Sequence, residues 1–239
     1  MPTTNYLNIK IYCDGAEIDT IRKMAADPQI QGFTTNPTLM AKAGIKDYAA
    51  FAKEAIDAVG GKCISFEVFS DDFETMEREA KVIASWGGHT YTKIPITNTK
   101  GESALPLIKK LSAAGMKLNI TALMTLEQVK GVAEALAPNT PAIVSVFAGR
   151  IADTGKDPIP LMQDCLKVLK DRPKAELLWA SPRELLNVFQ ADECGTKIIT
   201  VSPDILNKLS LVGKDLNEFS LDTVKMFYAD ATKAGFKLV

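Results

Sequence analysis

The stretch HTYTKIPIT, His89–Thr97, is rich in Tyr, Thr and Ile and reads as a short β-strand. Lys93 sits in its middle and Pro95 follows two residues later. A long ammonium inside such a run needs a reason, and the flanking sequence supplies a setting for it. TYTKIP is the fourth of eight short β-branched or apolar runs. The others are LNIKIYCD, GFTTN, CISFEVF, KLNITAL, AIVSVFAG, ELLWAS and TKIITVS. Amphipathic segments stand between most of them, among them DDFETMEREAKVIASWG and TLEQVKGVAEALA. Several end in a glycine just before the next strand (Gly87, Gly115, Gly195), as helix C-termini do.

Strict alternation of strand and helix predicts a parallel sheet with helices outside it. Eight units in 239 residues suit a single-domain α/β chain, a (β/α)8 TIM barrel with an extra C-terminal helix. A doubly wound open sheet is the structural alternative. It would usually carry a glycine-rich phosphate loop, and neither GxGxxG nor GxxxxGKS/T occurs. The expected organisation is a catalytic barrel over residues 1–219. A terminal helix over 220–239 has no strand to cover and could reach a neighbouring subunit.

Composition narrows the function. Hydrophobic residues make up 46% and charged ones 24%, as in an ordinary globular protein. The net charge of −1 gives no electrostatic case for a nucleic acid or membrane partner. No apolar run would span a bilayer, and MPTTNYLNIK has no signal-peptide pattern, so a cytoplasmic location is expected. The four cysteines form no CxxC, and a chain of this size does not need disulfides. His89 is the only histidine, a poor basis for a metal site or a Ser-His-Asp triad. It precedes the fourth strand, on the stability face of a barrel, and is read as structural. No metal and no cofactor are expected.

Catalytic groups in such barrels gather at the C-terminal ends of strands. Here those ends carry Asp14; Thr34, Thr35 and Asn36; Glu67; Lys93; Asn119 and Thr121; Ser145; and Ser181. Residues two apart share a strand face, so Asn119 pairs with Thr121 and Ser145 with Phe147. Inside a closed barrel, desolvation disfavours the Lys93 ammonium and frees the amine to attack a ketone or aldehyde as a Schiff-base nucleophile. Asp14 and Glu67 would move the protons that this chemistry requires. The plainer reading has Lys93 snorkelling to solvent or paired permanently with Glu67 or Asp14.

At this point a resemblance enters. CDGAEIDTIRK, GFTTNPTLMAKAG, FEVF, TKIPIT, LNITALMTLEQ, VSVFAGRI and ASPRE stand in the order and spacing of the transaldolase family. The chain resembles that family, and its small fructose-6-phosphate aldolase branch, over most of its length. The resemblance implies a class I Schiff-base barrel with its lysine on the fourth strand, where Lys93 lies. It makes Asp14 the acid/base at the C4 hydroxyl. Glu67 and Thr121 become the pair that holds a catalytic water, with Thr34 beside that water and the acid. Asn36, Asn119 and Ser145 become hydrogen-bonding groups for a dihydroxyacetone unit. Arg150, Ser181 and Arg183 become the anchor for an anionic tail, a role that two guanidiniums suit. The plain alternatives are surface salt bridges for the arginines and a turn-forming residue for Asn36.

The resemblance also discriminates within the family. The aldolases carry Gln where Glu67 stands and Tyr where Phe147 stands. This chain therefore reads as a transferase of dihydroxyacetone from a ketose, by default fructose 6-phosphate, to an aldehyde. The alternatives are a fructose-6-phosphate aldolase-type lyase, a transaldolase for a ketose with another anionic tail such as a sulfonate, and an inactive sugar-phosphate-binding barrel. Val146, Pro182 and Trp179 depart from the family pattern and are expected near the tail pocket. Small relatives assemble through the terminal helix, so a homo-oligomer, a pentamer or decamer, is expected.

Overall fold

The structure is a computed structural model and describes residues 7–238. Eight strands are present: β1 (Lys10–Asp14), β2 (Ile30–Thr34), β3 (Cys63–Glu67), β4 (Thr90–Pro95), β5 (Leu118–Leu123), β6 (Ala142–Val146), β7 (Ala175–Trp179) and β8 (Ile198–Val201). They form a closed barrel in sequence order, every neighbour parallel, with β8 returning to β1. Parallel strands buried on both faces read as near-continuous apolar runs, which explains AIVSV and IITV.

The helices expected from amphipathic pattern are all found. They are α1 (Ile18–Ala25), α4 (Phe73–Ser85), α5 (Leu105–Ala113), α6 (Leu126–Ala135), α8 (Ile159–Leu169), α9 (Leu186–Glu193) and α11 (Leu216–Ala234). Four others were not anticipated: α2 (Pro37–Lys42), α3 (Tyr48–Ala58), α7 (Ala148–Ala152) and α10 (Pro203–Leu206). Side-chain caps start several of them, Asp72 for α4 and a full capping box of Thr125 and Gln128 for α6. The terminal helix begins at Leu216, ahead of Ser220, because Asp215 caps it through Asn217 N and Glu218 N.

Two apolar zones hold the barrel. The larger lies between the strands and the outer helices, with Phe33, Phe66, Ile94, Ile120, Val146 and Trp179 among its members. The smaller fills the barrel interior below the site, with Tyr12, Ile143, Leu178 and Ile198 packed together. Gly32 belongs to this floor, since a Cβ there would stand 2.7 Å from the Tyr12 ring. His89 is exposed before β4, at the end of the barrel away from the polar strand ends, as expected.

α11 has no buried residue. Leu216, Val224, Phe227 and Tyr228 along it are all more than half exposed. No helix among the described residues is long and apolar enough to cross a membrane.

Candidate active site

The C-terminal mouth of the barrel holds a cavity of about 630 Å³. All twelve residues named as the candidate site line it: Asp14, Thr34, Asn36, Glu67, Lys93, Asn119, Thr121, Ser145, Phe147, Arg150, Ser181 and Arg183. Register explains the convergence. Glu67 is the cross-strand partner of Lys93, and Lys93 is the partner of Asn119. Asp14 is likewise opposite Thr34. Parallel pairing therefore sets these side chains in neighbouring rows on one face.

Lys93 is only 6% exposed. Its Nζ donates to the Thr35 carbonyl at 2.8 Å and lies 3.0 Å from Glu67 Oε2. Of the two carboxylates considered for pairing, the ion pair is with Glu67. Asp14 accepts from the Thr34 hydroxyl at 2.7 Å. Burial pushes the Asp14 carboxyl above its ordinary value, against the Lys93 charge and the Thr34 hydrogen bond, which pull it down. Thr35 contributes its backbone carbonyl, and its own hydroxyl turns to the Ser65 carbonyl.

A buried polar chain links β6, β5 and β3 across β4. Ser145 Oγ donates to Asn119 Oδ1 at 2.6 Å, and Asn119 Nδ2 donates to Ser65 Oγ at 3.0 Å. Thr121 Oγ1 is buried without a protein hydrogen-bond partner. Its strand bulges there: pairing to β6 shifts between Ile120 and Leu123, and Ala122 takes a φ of 64°. Asn36 caps α2, its side-chain oxygen accepting from Leu39 N at 3.0 Å. The plain alternative weighed for it was a turn; its local role is a helix cap. The side-chain nitrogen is then the group it can offer a ligand.

The arginines come from two successive connections. Arg150, on α7, lies over the Phe147 ring at 5.3 Å. Arg183 donates through Nη1 to Ser181 Oγ at 2.9 Å and through Nε to Asp153 Oδ1 at 2.8 Å. Asp153 is held well below the usual carboxylate range by that guanidinium. Gly149 lets these connections meet, since a Cβ there would stand 1.6 Å from the Ser181 carbonyl oxygen.

Val146, Trp179 and Pro182 each stand between residues that line the cavity without lining it themselves: Val146 and Trp179 are cross-strand partners that face outward into the core beneath the helices, and Pro182 lies between Ser181 and Arg183. Their neighbours Ser145, Phe147, Leu178 and Ala180 take the inward positions. Sequence reasoning also missed Thr200 and Lys42, which line the cavity, and Ser65, Asp153 and the Thr35 carbonyl, which hold lining groups. Alternation along TKIITVS would have pointed Thr200 inward. No group of three or more His, Cys, Asp or Glu that could hold a metal ion occurs among the described residues.

The model of a family described as Transaldolase/Fructose-6-phosphate aldolase matches residues 11–238. The chain belongs to that family. It is 34% identical to a Thermoanaerobacter sp. protein named "Probable transaldolase", over 96% of this chain and all of the relative. A Ruegeria sp. protein of the same name is 31% identical, over 97% of this chain and all of that one. The fold is shared more widely. The crystal structure of 3-hexulose-6-phosphate synthase from Salmonella typhimurium matches with a TM-score of 0.58 at 15% identity, covering 83% of this chain and 91% of that one. As a member of the transaldolase/fructose-6-phosphate aldolase family, the protein is an enzyme of carbohydrate metabolism.

Proposed function

We propose that the protein is a transaldolase-type transferase. It takes a dihydroxyacetone unit from a ketose with an anionic tail, by default a sugar phosphate such as fructose 6-phosphate, and passes it to an aldehyde. The observation that carries this reading is one buried amine, Lys93, set 3.0 Å from Glu67 in the cavity that Asp14 and two arginines share.

In this reading the Lys93 ammonium gives its proton to Glu67, and the freed amine attacks the ketose C2 carbonyl. The carbonyl oxygen takes a proton through Glu67 and a water held with the unpartnered Thr121 hydroxyl, giving a carbinolamine. Loss of water leaves a protonated imine. Asp14 then removes the C4 hydroxyl proton. The C4 oxygen pair closes to a carbonyl, the C3–C4 bond breaks, and its electrons neutralise the iminium as an enamine. The first aldehyde leaves, a second enters, and the steps reverse. Asn36, Asn119 and Ser145 hold the three-carbon unit. Ser181, Arg150 and Arg183 hold the tail. Phe147 presents no hydroxyl beside the intermediate, which favours waiting for an acceptor over release to water.

The test is borohydride reduction in the presence of a ketose donor, followed by peptide mapping. One adduct is expected, on Lys93, and none in Lys93→Met. An adduct on another lysine would overturn the assignment. Turnover with and without an acceptor aldehyde, over donors bearing phosphate, sulfonate or no tail, separates transferase from lyase and identifies the tail. We also propose a homo-oligomer, a pentamer or decamer, in which the apolar residues of α11 pack on a neighbouring subunit.

A further inference from the structure

We infer that Thr200 is a positioning residue for Asp14, acting through a chain of two hydroxyls whose direction reverses when Asp14 takes up a proton. The inference rests on the role proposed above for Asp14. Thr34 Oγ1 lies 2.7 Å from Asp14 Oδ1 and 2.5 Å from Thr200 Oγ1. β8 sets Thr200 there by pairing it with Tyr12, two residues before Asp14 on the same face of β1.

Each hydroxyl has one proton to give. While Asp14 is a carboxylate it can only accept, so Thr34 donates to Asp14 and Thr200 must donate to Thr34. When Asp14 holds a proton on Oδ1, the carboxyl donates to Thr34, and the Thr34 proton turns to Thr200. The Asp14–Thr34–Thr200 contacts then persist in both protonation states without moving a heavy atom, and in the acid state the Thr200 proton turns to the cavity that Thr200 lines. Thr34 is only 3% exposed, so little water reaches its hydroxyl to replace Thr200. The charged groups acting on Asp14 are Lys93 from β4 and Glu67 from β3, whereas β2 and β8 face it with hydroxyls. The cleavage step creates the protonated state of Asp14 at the moment the C4 proton transfers. Thr200 thus serves that step and not the attack of Lys93.

Removing the Thr200 hydroxyl leaves the carboxylate state intact, since Thr34 still donates to Asp14. It strands the Thr34 proton in the acid state. Thr200→Val should therefore lower the titration midpoint of Asp14 in the resting protein, read by carboxyl-carbon NMR, and Thr200→Ser should restore it. Cleavage should slow by roughly tenfold in Thr200→Val, the cost of about one hydrogen bond, with borohydride trapping at saturating donor unchanged. Thr200→Ala repeats the test if the valine variant does not fold. An unmoved midpoint in Thr200→Val or Thr200→Ala, or a Thr200→Ser midpoint displaced as far, would reduce Thr200 to packing and overturn the inference. The titration is read without substrate. Loss of the Schiff-base reading would show instead as an absent adduct in the wild type.

Discussion

Arg183 and Asp153 form a two-point ion pair: Nε lies 2.8 Å from Oδ1, and Nη2 donates to Oδ2. One of the two edges from which the guanidinium can grip an anion with two parallel bonds, that of Nε and Nη2, is therefore already taken. Nη1 gives one proton to Ser181, and one proton each on Nη1 and Nη2 remains directed elsewhere. Asp153 thus competes with an incoming tail for the same donors.

Asp153→Asn should free that side and add one positive charge to the anchor. The expected result is a KM for phosphate-bearing donors lowered by roughly fivefold, a small effect as befits an exposed pair. Donors without a tail should be unaffected. Steady-state kinetics with both donor types checks this, and a raised KM would mean that Asp153 orients Arg183 instead.

Asp14 carries a pH dependence of definite sign. Burial raises its folded-state pKa above the unfolded value. The folded protein then binds this proton more tightly, so its contribution to stability falls as pH rises from the unfolded value through the folded one. Asp14→Asn removes the buried carboxylate. The variant should melt higher than wild type at pH 7, with the gain shrinking toward pH 4. Turnover should fall by about 10²–10⁴-fold. Thermal melts at the two pH values, with an activity assay, provide the measurement.

Phe147→Tyr adds a hydroxyl on the cavity wall, on the face that Ser145 shares. Acceptor-free release of dihydroxyacetone should rise and preference for transfer should fall. The near-isosteric change should cost about 1 kcal/mol or less if the hydroxyl finds a partner. Fast acceptor-free release already present in the wild type would make the chain an aldolase.

Gly149→Ala forces a methyl into the Ser181 carbonyl oxygen. Overpacking of this kind costs about 1–3 kcal/mol. The connection that must yield carries Ser181 and Arg183. A lower Tm and a higher KM for tailed donors are expected, with Lys93 still trapped by dihydroxyacetone and borohydride.

Deleting residues 215–239 removes α11 and its exposed apolar side chains. Light scattering should then report a smaller assembly than the full chain forms. An unchanged subunit number would place the oligomer contact elsewhere on the barrel.

The barrel was legible because each strand is a short β-branched run with an amphipathic helix after it, from TYTKIP outward. The candidate pocket was legible because Lys93, Glu67, Asp14, Asn119 and Ser145 are polar residues in otherwise apolar strands. The misses have separate physical causes. α2 and α3 are divided at Gly44 and Ile45, and the small alanines of α3 give weak contrast between faces. Trp179 and Val146 stand beside cavity-lining residues in sequence, and the strand alternation that turns their side chains outward was not read. Thr200 is an ordinary residue for a strand, and only the closure of β8 on β1 reveals its partner. Asp153 follows a five-residue helix that no periodicity announces.

Lys93, Glu67 and Asp14, to which the proposed reading gives the chemistry, stand on strand interiors and ends whose register is locked by the whole barrel. Arg150, Ser181, Arg183 and Asp153 lie instead on the two consecutive connections after β6 and β7. If the proposed roles hold, the reacting end and the recognition end of the cavity are separately mutable. Lineages could exchange one donor sugar for another by drift in two short surface segments, while selection keeps the strands unchanged. The departure at Pro182, between Ser181 and Arg183, lies in one of those segments, where such divergence would first accumulate.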